Sequence, residues 1–299
     1  MSSLDPLPHL VHTTTELMPG VPLNVYGVRG REASVLVDSG IAVMRPVILA
    51  LCGELGNLGT VLLTHAHHDH IGCNPAVRQA TGAKFAAGGA LDWFEDLDTH
   101  YREFCLLDEL PDRPGQRQEV MGLIDGAVRI DTILDEGARL RLDDATELVT
   151  LRLPGHKLEE LAFLDPDRGE LFTGDLLLVR AAPFFHGFQS AAALLRSLDR
   201  LADLLTGGAV RTVYAAHHAP LDQVSAGQAV RATRAHVEEI RQRTVEAAGG
   251  VDFSSLWHSV CSAMRRQTEF RAYAMLDSLV TELVDEGVLA RDGDNILRR

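Results

Sequence analysis

Four residues able to ligate a metal fall within one short stretch of this chain: His65, His67, Asp69 and His70. Imidazole and carboxylate together suit borderline divalent cations, zinc first, with iron or manganese as alternatives. In a tight loop alternate residues point the same way, so His65 and His67 can share one ion while Asp69 and His70 face a second. His68 lies between them and is expected to point away. Three later positions repeat the theme: His156 in Pro154-Gly155-His156, Asp175 in Gly174-Asp175, and the adjacent pair His217 and His218. Each follows an apolar run that reads as a strand. Open α/β sheets build their sites at the carboxyl ends of strands.

The elements that must deliver these side chains are legible around them. Val21 to Val28 and Ser34 to Val37 read as two strands joined by the polar turn Arg29 to Glu32, the second ending at Asp38-Ser39-Gly40. A helix is expected from about Met44 to Leu55. Gly59 to Thr64 is a short apolar run, the pattern of a strand buried on both faces, and it runs straight into His65. A helix after Asn74 and a strand near Ala83 to Ala86 continue an α/β alternation. From Leu91 to Leu107 apolar residues recur at helical spacing, and a Pro- and Gly-containing break follows at Leu110 to Gly115. Strand signals return at Arg129–Leu134, Arg139–Leu142, Glu147–Leu153, Leu161–Leu164 and Glu170–Thr173, the last two joined by the turn Asp165 to Gly169. Ser190 to Leu205 is helical, and Val210 to Ala215 is the strand that ends at the histidine pair. After about Ser225 the pattern changes to helices at Gln228–Ala247, Phe253–Met264 and Glu269–Glu286, capped by Gly287, and a small hairpin over Val288–Arg298. This predicts a catalytic domain over 1–224 and a small winged-helix-like domain over 225–299.

In these motifs the chain resembles the metallo-β-lactamase superfamily of binuclear hydrolases. The resemblance rests on Thr64-His65-Ala66-His67-His68-Asp69-His70-Ile71-Gly72, Pro154-Gly155-His156, Thr173-Gly174-Asp175, Ala216-His217-His218-Ala219-Pro220 and the earlier Val37-Asp38-Ser39-Gly40. It implies an α/β fold, a four-layer αββα sandwich with the metals at one edge. It also implies that His65, His67 and His156 hold one ion, that Asp69, His70 and the last histidine hold the other, and that Asp175 bridges them. The family's usual Gly-His-Gly-Pro spacing favours His218 as that last ligand, with His217 as the alternative. Asp38 would fix the tautomer of a ligand imidazole. Lys157 stands where relatives commonly carry a small hydroxyl residue, and His186, in a Phe-rich loop after Asp175, is a candidate for substrate contact.

Two ions sharing a water make hydroxide available near neutrality, and Asp69 is placed to orient it and to pass a proton to the leaving group. The first expected substrate class is a carboxylic ester, thioester or lactone, small or bound to an acyl carrier, with the Phe-rich loop lining an apolar pocket. The alternatives are a ribonuclease or phosphodiesterase of the same fold, and a regulatory or partner-binding protein with residual hydrolysis. Charge weighs against nucleic acid: 28 basic residues stand against 42 acidic ones, for a net −14. Residues 225–299 carry nearly balanced charge, so the tail is not basic either. All basic residues except Lys84 and Lys157 are arginine, as coding bias in a GC-rich genome would produce. Cys52, Cys73, Cys105 and Cys261 are scattered, which fits reduced thiols. The opening residues lack the charged and apolar regions of a signal peptide and no stretch is long enough to span a membrane, so a cytoplasmic chain is expected. The Leu- and Phe-rich segment from 91 to 123 is a candidate homodimer interface.

Overall fold

Burial of whole strands, not alternation along them, shapes the centre of this molecule. The computed structural model describes residues 9–89, 91–104, 118 and 120–299. Its first sheet has the order β1-β2-β3-β4-β5-β6: β1 Leu10–Met18, β2 Val21–Arg29, β3 Ser34–Val37, β4 Leu58–Leu62, β5 Lys84–Ala87 and β6 Thr132–Ile133. The first three strands pair antiparallel, and β3 to β6 pair parallel. The second sheet has the order β12-β11-β10-β9-β8-β7, from β7 Arg139–Arg141, β8 Glu147–Arg152, β9 Leu161–Asp165, β10 Glu170–Gly174, β11 Thr212–Ala215 and β12 Leu221–Asp222. Only β10 and β11 pair parallel in it.

Side chains from both sheets meet in one inner layer: Tyr26, Val28, Val35, Val37 and Leu62 from the first, with Leu148, Leu161, Phe163 and Phe172 from the second. The outer faces carry their own apolar residues, such as Val25 and Leu36 on one side and Leu164 and Val213 on the other, and helices cover them. Strands covered on both sides must be apolar on both sides, which is why β3 and β9 are buried throughout. The result is the four-layer αββα sandwich.

The covering helices are α1 Arg45–Leu55, α2 His68–Ile71, α3 Asn74–Thr81, α4 Asp92–Glu95, α5 Leu97–Thr99, α6 Ala191–Thr206, α7 Gln223–Ala247, α8 Phe253–Ala263 and α9 Phe270–Asp285. The longer ones start where the sequence supplies caps: Ser190 accepts from the Ala193 N–H, Asp222 and Asp252 from the N–H three residues on, and Glu269 from Ala272. A third sheet, β13 Val251–Asp252, β14 Leu289–Asp292 and β15 Asn295–Arg298 in the order β13-β15-β14, closes the C-terminal segment. Leu256, Trp257, Val260, Met275 and Leu279 of that segment belong to the same buried cluster as Leu194, Leu198 and Leu201 of α6.

Two expectations change here. The helical spacing after Leu91 does not give one helix but two short ones and a π-type turn, His100–Phe104. Asp96 is the reason: its backbone is extended and its carboxylate accepts from the Asp98 and Thr99 N–H groups, ending one helix and capping the next. The strand expected over Arg129–Leu134 is only the two-residue β6. Leu107, the Leu110–Gly115 break and Cys105 lie outside the described residues, as does much of the proposed dimer segment. Cys52, Cys73 and Cys261 are free and buried. No helix among the described residues is long and apolar enough to cross a membrane.

Candidate metal centre

Five strand ends converge at one edge of the sandwich. β3 runs into Asp38, β4 into Thr64, His65 and His67, β8 into His156, β10 into Asp175, and β11 into His217. Asp38 has φ of +62°, a left-handed backbone that is uncommon outside glycine and tolerated best by Asp and Asn. That conformation aims its carboxylate at the metal loop, where it accepts from the Thr64 N–H at 2.8 Å, from the Thr64 hydroxyl at 2.9 Å and from His70 Nδ1 at 2.7 Å. Gly174 has φ of +56°, and a side chain there would meet Thr64 Oγ1 at 2.7 Å, so only glycine lets β10 pass this close to the loop. Gly155 is as constrained, with its Cβ position 2.3 Å from Leu194 Cα of α6.

Two groups of ligand atoms result. His65, His67, His156 and Asp175 form one, and Asp69, His70, Asp175 and His217 form the other, each with its ligand atoms within 4.8 Å of one another. In the first, His67 Nδ1 lies 2.9 Å from His65 Nε2 and 2.7 Å from His156 Nε2, while Asp175 Oδ2 is 3.4 Å from His156 Nε2. In the second, Asp175 Oδ1 is 3.4 Å from both His70 Nε2 and His217 Nε2, and Asp69 Oδ2 is 3.2 Å from His217 Nε2. The two oxygens of Asp175 therefore face different groups.

The hydrogen bonds behind the rings set their tautomers. His156 Nδ1 donates to the Gly187 carbonyl at 2.7 Å, His217 Nδ1 to the Pro22 carbonyl at 2.8 Å and His70 Nδ1 to Asp38. His65 Nδ1 is 3.0 Å from the Thr64 hydroxyl, which itself donates to Asp38. Each of these rings thus presents Nε2 inward, the arrangement that metal-ligating histidines adopt. His70 Nε2 and Asp175 Oδ1 are buried with no hydrogen-bond partner, a state that leaves buried polar atoms costly unless a cation takes them up. An N/O donor set with two orphaned atoms fits zinc or a related divalent ion.

Burial and the neighbouring carboxylates pull these imidazoles in opposite directions. Burial holds His65 and His67 well below the usual imidazole range, and it takes His156 down to about 3. For His217 burial acts in the same direction, but Asp175 and then Asp69 outweigh it and raise it to about 10. Burial opposes ionisation of Asp175, yet the surrounding imidazoles, His217 foremost, keep it well below the usual carboxylate range.

The structure separates the two terminal histidines the other way from the sequence expectation. His217 enters the second group, whereas His218 turns aside and its Nε2 donates to the Leu177 carbonyl at 3.0 Å. The register of β11 on β10 decides this, not the distance to Pro220. Gly174 pairs with Ala215, the Ala216 N–H donates to the Gly174 carbonyl, and the residue that then faces Asp175 is His217. Asn24 of β2 holds the turn by donating to the carbonyls of Ala216 and His218. His68 is buried, with its Nε2 4.0 Å from Asp69, outside both groups. Lys157 lines the adjoining cavity near His67, where its charge adds to the lowering of that imidazole. His186 lies 2.8 Å from Asp175 Oδ2.

A sequence model of the metallo-beta-lactamase superfamily matches residues 18–217, the span that holds both ligand groups. The chain belongs to this superfamily. A hydroxyacylglutathione hydrolase of Methylococcus capsulatus is 32% identical over 173 residues, covering 58% of this chain and 53% of that protein. The chain thus spans about half the length of this relative. An acyl-coenzyme A thioesterase, MBLAC2 of Bos taurus, is 26% identical over 210 residues, covering 65% of this chain and 72% of its own length. Among solved structures, a metallo-beta-lactamase family protein of Thermus thermophilus superposes with a TM-score of 0.76 at 23% identity. That match covers 98% of this chain and 99% of the other, a likeness of fold.

This superfamily member carries further residues that spacing alone does not reveal. Glu160 is buried, and its Oε1 accepts from the Asp175 N–H at 2.9 Å. Burial, with Asp175 adding to it, pushes its carboxyl well above the usual range. Two acids set directly before the apolar run Leu161 to Leu164, Glu159 and Glu160 ahead of β9, are the signal that could have found it. The cavity beside the ligand groups has a volume of about 640 Å³. Its walls include Met18, Trp93, Phe184 and Phe188, and also Glu269, Arg271, Ala274 and Met275 from the C-terminal segment. Arg271 pairs with Glu269 at 2.8 Å and stacks over the Phe184 ring.

Proposed function

We propose that this chain is a metal-dependent hydrolase with two divalent ions, zinc first, acting on acyl groups carried by a thiol. Carboxylic esters and lactones are its neighbouring substrates. The observation that carries the reading is the juxtaposition of two ligand groups sharing Asp175 with a largely apolar cavity of about 640 Å³. His65, His67, His156 and Asp175 would hold one ion, and Asp69, His70, His217 and Asp175 the other. When bound, such ions polarise a carbonyl and make a water acidic enough to act near neutrality. The names of the relatives, a hydroxyacylglutathione hydrolase and an acyl-coenzyme A thioesterase, both concern acyl groups on thiol carriers and support the same class.

The chain's own residues do the rest. Asp69 lines the cavity, and its Oδ2 faces His217, so it is placed to orient an attacking water and to hold a proton for the leaving group. Trp93, Phe184 and Phe188 exclude water from the acyl group. Lys157 places a cation beside His67 at the cavity wall, where a developing negative charge would be stabilised. A phosphodiester substrate is less well served, because Arg271 at that wall is already paired with Glu269. The test is a panel of acyl-coenzyme A and acyl-glutathione thioesters, simple esters, lactones and single-stranded RNA, with wild type and Asp69→Asn. The expected outcome is thioester turnover that falls by at least about 100-fold in kcat in the variant with KM little changed. RNA cleavage without thioester turnover would contradict the reading.

A further inference from the structure

We propose that His186 is a positioning residue for Asp175, holding its carboxylate in the one orientation that serves both ligand groups. The proposal rests on the metal-dependent reading above. The backbone sets the tautomer: the Val179 N–H donates to His186 Nδ1 at 2.9 Å, so that nitrogen carries no proton. The ring proton is then on Nε2, which donates to Asp175 Oδ2 at 2.8 Å. A carboxylate oxygen has two lone-pair sites. With one engaged by His186, the other remains for the group of His65, His67 and His156, and Oδ1 is left facing His70 and His217.

Nothing else takes this role among the described residues. The other side chains that reach the Asp175 carboxylate are His65, His156, His70 and His217, all members of the ligand groups themselves. Glu160 holds only the Asp175 backbone, through its N–H. A hydrogen-bond partner that is not itself a ligand keeps a carboxylate facing two groups from rotating toward one of them before a cation is present.

The His186 loop is built to be that anchor. The ring packs edge-on against His156 at 5.0 Å and His217 at 5.2 Å between centroids, one from each group. The next residue, Gly187, accepts from His156 Nδ1, so two consecutive residues fix ligands delivered by two different strands. Phe185 on the other side is fully buried. Behind the loop stands α9, where a Cβ on Gly187 would lie 3.3 Å from Met275 Cβ. The C-terminal segment thus backs the residue that orients the shared carboxylate.

The test uses three variants of the full chain and reads zinc affinity by competition with a chromophoric chelator, with the cobalt(II) absorption spectrum as a second readout. His186→Asn keeps an acceptor for the Val179 N–H but is too short to reach Asp175. His186→Phe keeps the ring packing and has no donor. His186→Gln can place its amide N–H where Nε2 stood. We expect zinc affinity to fall by about 10–100-fold in H186N and H186F and to return to within about threefold of wild type in H186Q. The cobalt spectrum should change in the first two only. Melting of the metal-free chains reports folding, and a loss shared by two variants that preserve different packing contacts is the loss of the Nε2 donor. Unchanged zinc affinity in H186N and H186F, or no recovery in H186Q, overturns the assignment alone. A wild-type chain that takes up no zinc overturns the metal reading, and this assignment with it.

Discussion

At the residue scale the centre is governed by what stands behind each ligand. Asp38 satisfies the Thr64 N–H, the Thr64 hydroxyl and His70 Nδ1 at once, from a strained left-handed backbone. Asn tolerates that backbone, so Asp38→Asn isolates the charge from the strain. We predict that D38N folds but binds zinc about 10–100-fold more weakly, as measured by chelator competition. Equal affinity would remove Asp38 from the account. A second prediction concerns protons. Asp175 and Asp69 hold the His217 imidazole protonated up to about 10 against the effect of burial, whereas a metal needs it neutral. Zinc uptake at pH 7 should therefore release protons, and affinity should rise with pH between 6 and 8. Calorimetry in buffers of different ionisation enthalpy checks this, and a heat independent of buffer would contradict it. Most of the ligand set was legible from residue type and spacing, because His65, His67, Asp69 and His70 lie in one loop. His217 against His218 was not, since adjacent histidines differ only in which way a strand end turns them, and the pairing of β10 with β11 sets that.

At the element scale the site is a set of strand ends held level by the two sheets. Apolar runs ending in Asp, His or Gly announced β3, β4, β10 and β11 closely, because strands buried on both faces leave a continuous signal. The segment after Leu91 misled, because helical spacing persists through Asp96 although its side chain takes over the backbone N–H groups that a continuous helix would need. The C-terminal helices were also legible as helices, but not what they cover. Periodicity tells which face of α9 is buried, not that Ala274 and Met275 line the cavity beside the ligand groups. That contribution makes a prediction. Ala274→Trp should fill part of the cavity and raise KM for long acyl chains by about 10-fold or more, leaving the shortest thioester little affected. Steady-state kinetics over a chain-length series would show it, and an equal effect at every length would place the acyl group elsewhere.

At the scale of the whole molecule, the acidic balance and the metal centre belong together. Nearly all of the −14 lies outside residues 225–299, and the centre itself gathers Asp38, Asp69 and Asp175 where divalent cations would offset them. The C-terminal segment is not a separate weight hung on the sandwich, since its apolar residues join the cluster of α6 and its last helix walls the cavity. Sequence composition marks a change of pattern near 225 but carries no information on this shared burial, which depends on contacts between distant stretches. On the proposed reading, two ions sharing Asp175 enable hydrolysis of a thiol-carried acyl group. The most direct measurement is thioester hydrolysis by chelator-stripped protein titrated with zinc. Activity should be absent without metal and rise to a plateau at two equivalents per chain. Activity that survives stripping, or that stays absent at two equivalents across the thioester panel, would contradict the account.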